Sequence, residues 1–198
     1  MKTIVGITLG LVCAQQLMGE EIHSKVIHQD TYIGAGYEYF HDIGNSGAKA
    51  HGVFGAGSYD YHNVLFGVSG GYAWGDEDVD FWRAGGSLAY VVRLMENHVN
   101  IVPRVGIFYN EVLFNGNSDN VTTINPGITL SYAFNNQLSI NGGYTYGHDI
   151  DFDNEGDQHT FSAGSRLAIA ENVGLDVRAD FIEGFGFSVI SAMLQFHF

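Results

Sequence analysis

The sequence predicts an all-β fold: a transmembrane antiparallel up-and-down β-barrel of ten strands, with eight as the alternative count. Three observations support this prediction. Apolar and polar residues alternate with a period of two, the connections between these stretches alternate in length, and aromatic residues gather near the ends of the stretches. These are the features of strands that cross a membrane with one face toward lipid.

The alternation is clearest in residues 123–134, TINPGITLSYAF. Ile124, Ile128 and Leu130 occupy even positions and share one face. The odd positions of the same stretch are Thr, Asn, Gly, Ser and Ala. Residues 64–75 and 138–147 repeat the pattern. A strict period of two indicates a strand with one apolar and one polar face.

Ten strands follow when this reading is extended along the chain. They are predicted near residues 32–40, 50–60, 64–75, 81–93, 99–110, 122–134, 138–148, 159–169, 173–182 and 187–198. The second strand, which contains HGVFGAGSY, has apolar residues in both registers, and this keeps the count of eight open. Glycines within the strands are predicted to make room for neighbouring side chains in the lumen.

The connections predict the topology. Short ones fall at residues 60–63, 94–98, 135–137 and 170–172, and the intervening ones include long segments at 41–49, 111–121 and 149–158. Short turns on one side and longer loops on the other are typical of membrane barrels, with both chain ends on the short-turn side. Barrel closure leaves no sheet edge unpaired in lipid.

A soluble barrel is the alternative, and it would carry many Lys and Glu residues on its outer face. Beyond the first 19 residues, however, the only lysines are Lys25 and Lys49, and both lie outside the predicted strands. All arginines fall in the polar register, as does a smaller set of acids. The predicted lumen charges are Glu38, Arg83, Arg93, Arg104, Arg166, Asp176, Arg178 and Asp180.

These charges allow two predictions about the lumen. If Ile169 pairs with Val173 across the turn, Arg166 lies opposite Asp176, and such ion pairs would fill the interior. We therefore predict a side-chain-filled lumen. The alternative is a narrow ion or small-solute channel with a preference for anions, because five arginines exceed three acids in the predicted set.

The first residues resemble an export signal. Lys2 precedes an apolar run, and small residues follow at Ala14 and Gly19. We predict a signal peptide at residues 1–19, with cleavage after Ala14 as the alternative, and a barrel domain at 20–198. Cleavage would remove Cys13, the only cysteine, so that the exported chain would hold no disulfide.

The last strand, FSVISAMLQFHF, ends the chain on an aromatic residue without a polar tail. Together with the export signal, the alternation and the aromatic belts, it resembles the small outer-membrane β-barrel proteins of Gram-negative bacteria. The resemblance implies a location in the bacterial outer membrane, among lipid and lipopolysaccharide. It also implies that Phe196 and Phe198 form the signal read by the barrel-insertion machinery.

The chain is acidic, with a formal net charge of −14, and this argues against nucleic-acid binding. Much of the charge lies on the long-loop side. The densest group could converge on Ca²⁺, a cation that prefers several oxygen ligands; its members are Asp149, Asp151, Asp153, Glu155 and Asp157. The alternative is a solvated acidic loop, and we predict no other cofactor.

The sequence offers little for catalysis. His148 beside Asp149 is a conceivable general base, but no nucleophile or family motif accompanies it. We therefore predict a protein that is not an enzyme, whose acidic extracellular loops have a structural or surface-interaction role. The sequence does not identify the surface partner.

Overall fold

The structure, a computed structural model, describes residues 27, 30–43, 48–75, 79–95, 98–114, 117–150, 157–183 and 187–198. The predicted signal peptide and its boundary at residue 19 lie outside these ranges. The strands are β1 (Tyr32–Ile43), β2 (Ala48–Tyr61), β3 (Val64–Gly75), β4 (Val79–Tyr90), β5 (Val92–Leu94), β6 (Val99–Phe114), β7 (Asn117–Ala133), β8 (Leu138–Asp149), β9 (Gln158–Ala170), β10 (Val173–Glu183) and β11 (Phe187–His197). In these ranges no helix has the length and apolar character needed to span a bilayer.

The strands form one closed antiparallel barrel. Consecutive strands are neighbours from β1 to β4 and from β5 to β11, β11 pairs with β1, and β4 pairs with β6 to complete the ring. Because β4 and β5 both pair with β6, they act as one barrel strand. The described barrel therefore has ten strands, and the predicted fold class is confirmed.

The break between β4 and β5 has a local cause. The register that pairs Ala89 with Arg104 and Val92 with Ile101 places Tyr90 opposite Pro103, which has no N–H to donate. On the side away from β6, Val91 still donates its N–H to the carbonyl oxygen of Asn63 at 2.8 Å, in the register of the β3–β4 pairing. The alternation of inward and outward side chains continues across the break: Val91 is 2% exposed and points inward, and Val92 is 37% exposed and points outward.

Side chains alternate between the lumen and the exterior as predicted. In β11, Ile190 and Leu194 are exposed on the outer surface, whereas Val189, Met193 and Gln195 are buried inside the barrel. An apolar exterior is stable only in contact with lipid, since in water it would expose a continuous apolar band.

The predicted connection at residues 111–121 is shorter than expected. β6 continues to Phe114 and β7 begins at Asn117, so most of the predicted loop at 111–121 is strand. The two strands remain paired to their ends, with Phe114 opposite Asn117. Cross-strand backbone hydrogen bonds thus extend this hairpin through polar residues that the sequence pattern assigned to a loop.

The β9–β10 hairpin corrects one prediction and confirms another. Val173 pairs with Ala170 rather than with Ile169, and a register shift follows between Val173 and Gly174. This irregularity inserts the extra residue that restores the predicted register further along the strands. Arg166 consequently lies opposite Asp176.

Candidate functional site

The barrel interior brings the predicted lumen charges together. Glu38, Arg83, Arg104, Arg166, Asp176, Arg178 and Asp180 line a single cavity. Arg93, the remaining member of the predicted set, lies on β5 near the short-turn end of the barrel, where it contacts Asp30 and Asp60. We call this end the inner mouth and the opposite end the outer mouth.

The ion pair with the most buried carboxylate joins two strands that are not neighbours. Arg83 on β4 donates from Nη2 to Oε2 of Glu38 on β1 at 2.5 Å, and Glu38 is 1% exposed. Small residues on β2 and β3 lie beside this pair: a Cβ at Gly52 would come within 2.9 Å of both Ala73 Cβ and Glu38 Cγ. The absence of a side chain at Gly52 therefore makes room for the Glu38 side chain.

A second group of charges occupies the inner mouth. Arg93 Nη2 lies 2.8 Å from Asp60 Oδ2 and 3.2 Å from Asp30 Oδ2. Arg166 Nε lies 3.4 Å from Asp176 Oδ2, and Arg166 Nη1 lies 4.0 Å from Asp30 Oδ1. Asp30 therefore links the arginines of β5 and β9 across this end of the barrel.

Asp30 and Asp60 correct the predicted charge balance. With these two acids, the described lumen groups comprise five arginines and five carboxylates, so the predicted positive excess is wrong. Asp30 precedes the first strand, and the sequence pattern assigned Asp60 to a turn. The sequence did contain a signal for Asp60. It lies two residues after Ser58, which lines the cavity, so the alternation of β2 places both residues on the inward face.

Arg104 differs from the other lumen arginines. Its Nη2 donates to Thr145 Oγ1 at 2.8 Å, and among the described residues it has no carboxylate within the 4.0 Å that defines the ion pairs here. Arg178, by contrast, lies 2.7 Å from Asp180. Gly127 separates Arg104 from Thr145 in the sheet, and a Cβ there would come within 2.7 Å of Thr145 Oγ1.

An apolar cluster, which the sequence analysis missed, bounds the cavity toward the outer mouth. The edge of one ring faces the other in the Phe40–Phe81 pair, with centroids 4.6 Å apart. Around them pack Ala50, Ala73, Ile182 and Val189. Phe40 lies two residues after Glu38 on β1. Because alternate residues of a strand share a face, the sequence could have predicted that this ring points inward.

The inner mouth is bounded by an apolar contact as well as by ion pairs. Ile27 is 5% exposed and packs with Ala133 of β7 and Ala168 of β9. Between the two ends remains a cavity of about 410 Å³. The prediction of a lumen filled by side chains therefore fits the two ends of the barrel better than its middle, where the cavity lies.

Two inward aromatic rings explain several strand glycines. A Cβ at Gly36 would come within 2.6 Å of the Phe54 ring, and one at Gly106 within 2.6 Å of the Phe108 ring. Gly85 is similarly close to Phe108, at 2.3 Å. The strand glycines thus make room for aromatic side chains in the lumen.

At the outer mouth, histidines bond to tyrosines and to an acid. Tyr144 Oη lies 2.7 Å from His159 Nδ1, and His148 Nδ1 lies 2.9 Å from Asp157 Oδ1. Hydrogen bonds from His148 and Tyr146 hold the pKa of the Asp157 carboxyl below its ordinary value. The acid that His148 bonds to here is therefore Asp157.

The predicted calcium residues are only partly described. Asp151, Asp153 and Glu155 lie outside the described residues, whereas Asp149 and Asp157 flank them. The described ranges contain no group of three or more His, Cys, Asp or Glu residues arranged to hold a metal ion.

The two aromatic residues of the predicted insertion signal lie on the exterior at the inner end. Phe196 is 54% exposed and Phe198 is 72% exposed. Phe196 also lies where the barrel closes, because it pairs with Ile33 of β1 on one side and with Val173 of β10 on the other.

We expect Asp30→Asn to leave stability at pH 7 unchanged or higher. Burial raises the pKa of Asp30 above its ordinary value of 3.8, and this outweighs the opposing effect of Arg166 and Arg93. A raised folded-state pKa contributes stability that is complete below pH 3.8 and is lost as the pH rises through the folded pKa. Urea unfolding at pH 7 and pH 4 would measure the difference between the two proteins.

The wild type should gain stability relative to Asp30→Asn as the pH falls. Arg93 keeps Asp60 as its partner in the variant, so no arginine there loses every carboxylate. A large loss of stability in Asp30→Asn at pH 7 would contradict this assignment, since it would mean that the charged form is the favoured one.

Comparisons with known proteins agree with this architecture. Residues 7–168 match the family model described as outer membrane protein beta-barrel domain. A search of curated proteins finds no match.

Several solved structures are similar in fold. The β domain of the Bordetella autotransporter BrkA is 11% identical, with 85% of this chain and 99% of that chain covered and a TM-score of 0.54. The NanC porin is 9% identical, with 84% and 100% covered and a TM-score of 0.50. Neisserial surface protein A is 15% identical, with 85% and 97% covered and a TM-score of 0.42. At these identities the similarities to the BrkA β domain and the NanC porin show the fold alone.

Proposed function

Because the chain belongs to the outer membrane protein β-barrel domain family, we propose that it acts as a closed, non-enzymatic barrel with a structural or surface-interaction role. Its location is the bacterial outer membrane. A barrel of this kind presents loops to the exterior while its wall anchors them in lipid.

Side-chain contacts toward both ends of the lumen carry the proposal. Toward the outer mouth, Phe40 and Phe81 are in contact above the Arg83–Glu38 pair. At the inner mouth, Ile27 packs against the opposite wall. Solutes would have to displace both groups, and an apolar constriction also opposes the passage of hydrated ions.

A narrow channel is the second candidate, and the cavity of about 410 Å³ is the observation that favours it. The described charges inside do not favour anions as a class, because arginines and carboxylates balance. A channel would therefore need a change at both ends before it could conduct.

The location of the histidines supports a role other than catalysis. His148 and Asp157 are about half exposed at the outer mouth, and neither lines the cavity. They lack the enclosed surroundings in which a general base acts on a bound substrate.

The acidic outer loops supply the proposed interaction surface. With a net charge of −14, the chain would repel the phosphates of lipopolysaccharide unless divalent cations such as Ca²⁺ bridged the two. Asp151, Asp153 and Glu155 are the proposed loop ligands. Phe196 and Phe198 are proposed as the signal for the insertion machinery, on the strength of their exposed position at the closing strand.

Current across a planar lipid bilayer tests the closed lumen. We expect no reproducible current steps from wild-type protein whose insertion is verified separately by protease protection. Reproducible steps from the wild type would overturn the proposal and favour the channel.

A variant supplies the matching positive result. Phe40→Ala and Phe81→Ala remove the outer apolar contact, and Ile27→Ala removes the inner one. We expect steps only when all three changes are combined. Lys49→Ala is the control, since Lys49 is exposed and does not line the cavity.

A further inference from the structure

The cavity in the lumen has the size and composition of a ligand site. Its volume of about 410 Å³ falls within the range of about 300–1,000 Å³ that is usual for small-molecule pockets. It lies between the apolar cluster near the outer mouth and the ion pairs of the inner mouth. Three independent features of its lining point to one class of ligand.

The first feature is a positive charge without a negative partner. Arg83 and Arg178 each bond to a carboxylate, whereas Arg104 donates to the neutral hydroxyl of Thr145. The group at the inner mouth has the opposite imbalance, since Arg93 and Arg166 contact three acids there. In the middle of the lumen Arg104 therefore has no carboxylate within ion-pair distance among the described residues, and its guanidinium is suited to bidentate binding of a carboxylate.

The second feature is a pair of amide side chains that each have one buried polar atom without a hydrogen-bond partner in the described structure. Gln195 is 1% exposed, and its Nε2 has no hydrogen-bond partner in the described structure. Oδ1 of Asn100 likewise has none there. Both residues line the cavity with Arg104. Buried polar atoms are normally satisfied by protein, water or ligand, so either side chain would gain a hydrogen bond by rotating toward an occupant of the cavity.

The third feature is an apolar wall. Phe54 and Phe108 line the cavity, together with Leu65 and Ala89. These four residues lie on β2, β6, β3 and β4, whereas the charged residues Arg166, Asp176, Arg178 and Asp180 line the cavity from β9 and β10. A ligand that is polar throughout would leave the rings without a partner.

We propose that this cavity binds a small amphipathic carboxylate, with its anionic group on Arg104 and its apolar or aromatic body against Phe54 and Phe108. A rotation of the Gln195 or Asn100 side chain toward the ligand would give Gln195 Nε2 an acceptor or Asn100 Oδ1 a donor. This inference goes beyond the proposed function, because it concerns what the closed lumen contains.

Methionine methyl NMR offers a direct test, because the described ranges contain two methionines in contrasting places. Met193 lines the cavity, and Met95 is 73% exposed beyond β5. Protein with ¹³C-methyl methionine, reconstituted in lipid nanodiscs, would be titrated with 2-naphthoate. We expect a saturable shift of the Met193 signal and an unchanged Met95 signal.

A neutral probe and a charge variant separate the cavity from simple partitioning into lipid. The probe 2-naphthamide has the same body without the charge, and we expect it to bind at least about tenfold more weakly, as for the loss of a charge-assisted hydrogen bond. Arg104→Gln should weaken 2-naphthoate binding to a similar degree and reduce the preference over the amide. Lys49→Gln is the matched control, because it removes an exposed positive charge outside the cavity.

A second variant keeps the test decisive if Arg104→Gln does not fold. Ala56→Leu would fill part of the cavity while retaining Arg104, and should also abolish the Met193 shift. An unchanged Met193 signal in folded wild type at millimolar 2-naphthoate would overturn the proposal, as would equal binding of the amide. Conductance does not enter this test, so its outcome is separate from that of the closed-lumen proposal.

Discussion

Replacing Arg83 with alanine is expected to destabilise the folded barrel by about 3 kcal/mol, the lower end of the range for breaking a buried ion pair. Glu38 is 1% exposed and would be left with its charge inside the lumen and no guanidinium beside it. The lower end applies because Arg83 itself is 36% exposed. Urea unfolding in lipid vesicles, followed by tryptophan fluorescence, measures the loss.

The double variant distinguishes an ion pair from simple packing. Arg83→Ala combined with Glu38→Ala removes both charges, so we expect it to be more stable than Arg83→Ala alone. If the losses of the two single variants simply add, the two side chains do not interact, and the pair does not stabilise the barrel.

Gly106→Ala is expected to cost about 1–3 kcal/mol, as for overpacking of a filled interior. The added methyl group would come within 2.6 Å of Phe108 Cε2 and 3.2 Å of the carbonyl oxygen of Gly86. The ring contact is the closer one, so the cost depends on Phe108. The same unfolding measurement applies.

Two comparisons make this prediction specific. In a Phe108→Ala background, we expect Gly106→Ala to have little further effect, because the ring that it meets is gone. Gly86→Ala is the matched control: the nearest atom to its added Cβ, the carbonyl oxygen of Gly67, lies at 3.5 Å. Equal losses from Gly106→Ala and Gly86→Ala would show that the cost is a backbone effect unrelated to Phe108.

The inner-mouth network shows how far sequence reasoning extended into the candidate site. The pairing of Arg166 with Asp176 followed from counting residues across one turn, although the turn itself contains a register shift. Asp30 could not be predicted in this way, since it precedes β1 and has no strand register. Its contacts with Arg93 and Arg166 join segments that are far apart in the chain.

The sequence by itself determined the wall of this protein. A period of two, maintained over ten membrane-crossing strands, decides which side chains face lipid and which face the lumen, because successive residues of a strand point to opposite faces. Alternating connection lengths and the aromatic last strand predict a barrel and its direction in the membrane.

Only the tertiary structure decided what the lumen contains. Each strand pattern states that a residue faces inward, but it does not state which residue meets it from across the barrel. That depends on the closed ring and on the relative register of strands that are not neighbours. The Arg83–Glu38 pair, the Phe40–Phe81 contact and the Arg104–Thr145 hydrogen bond are all contacts of this kind, and the proposed functions depend on them.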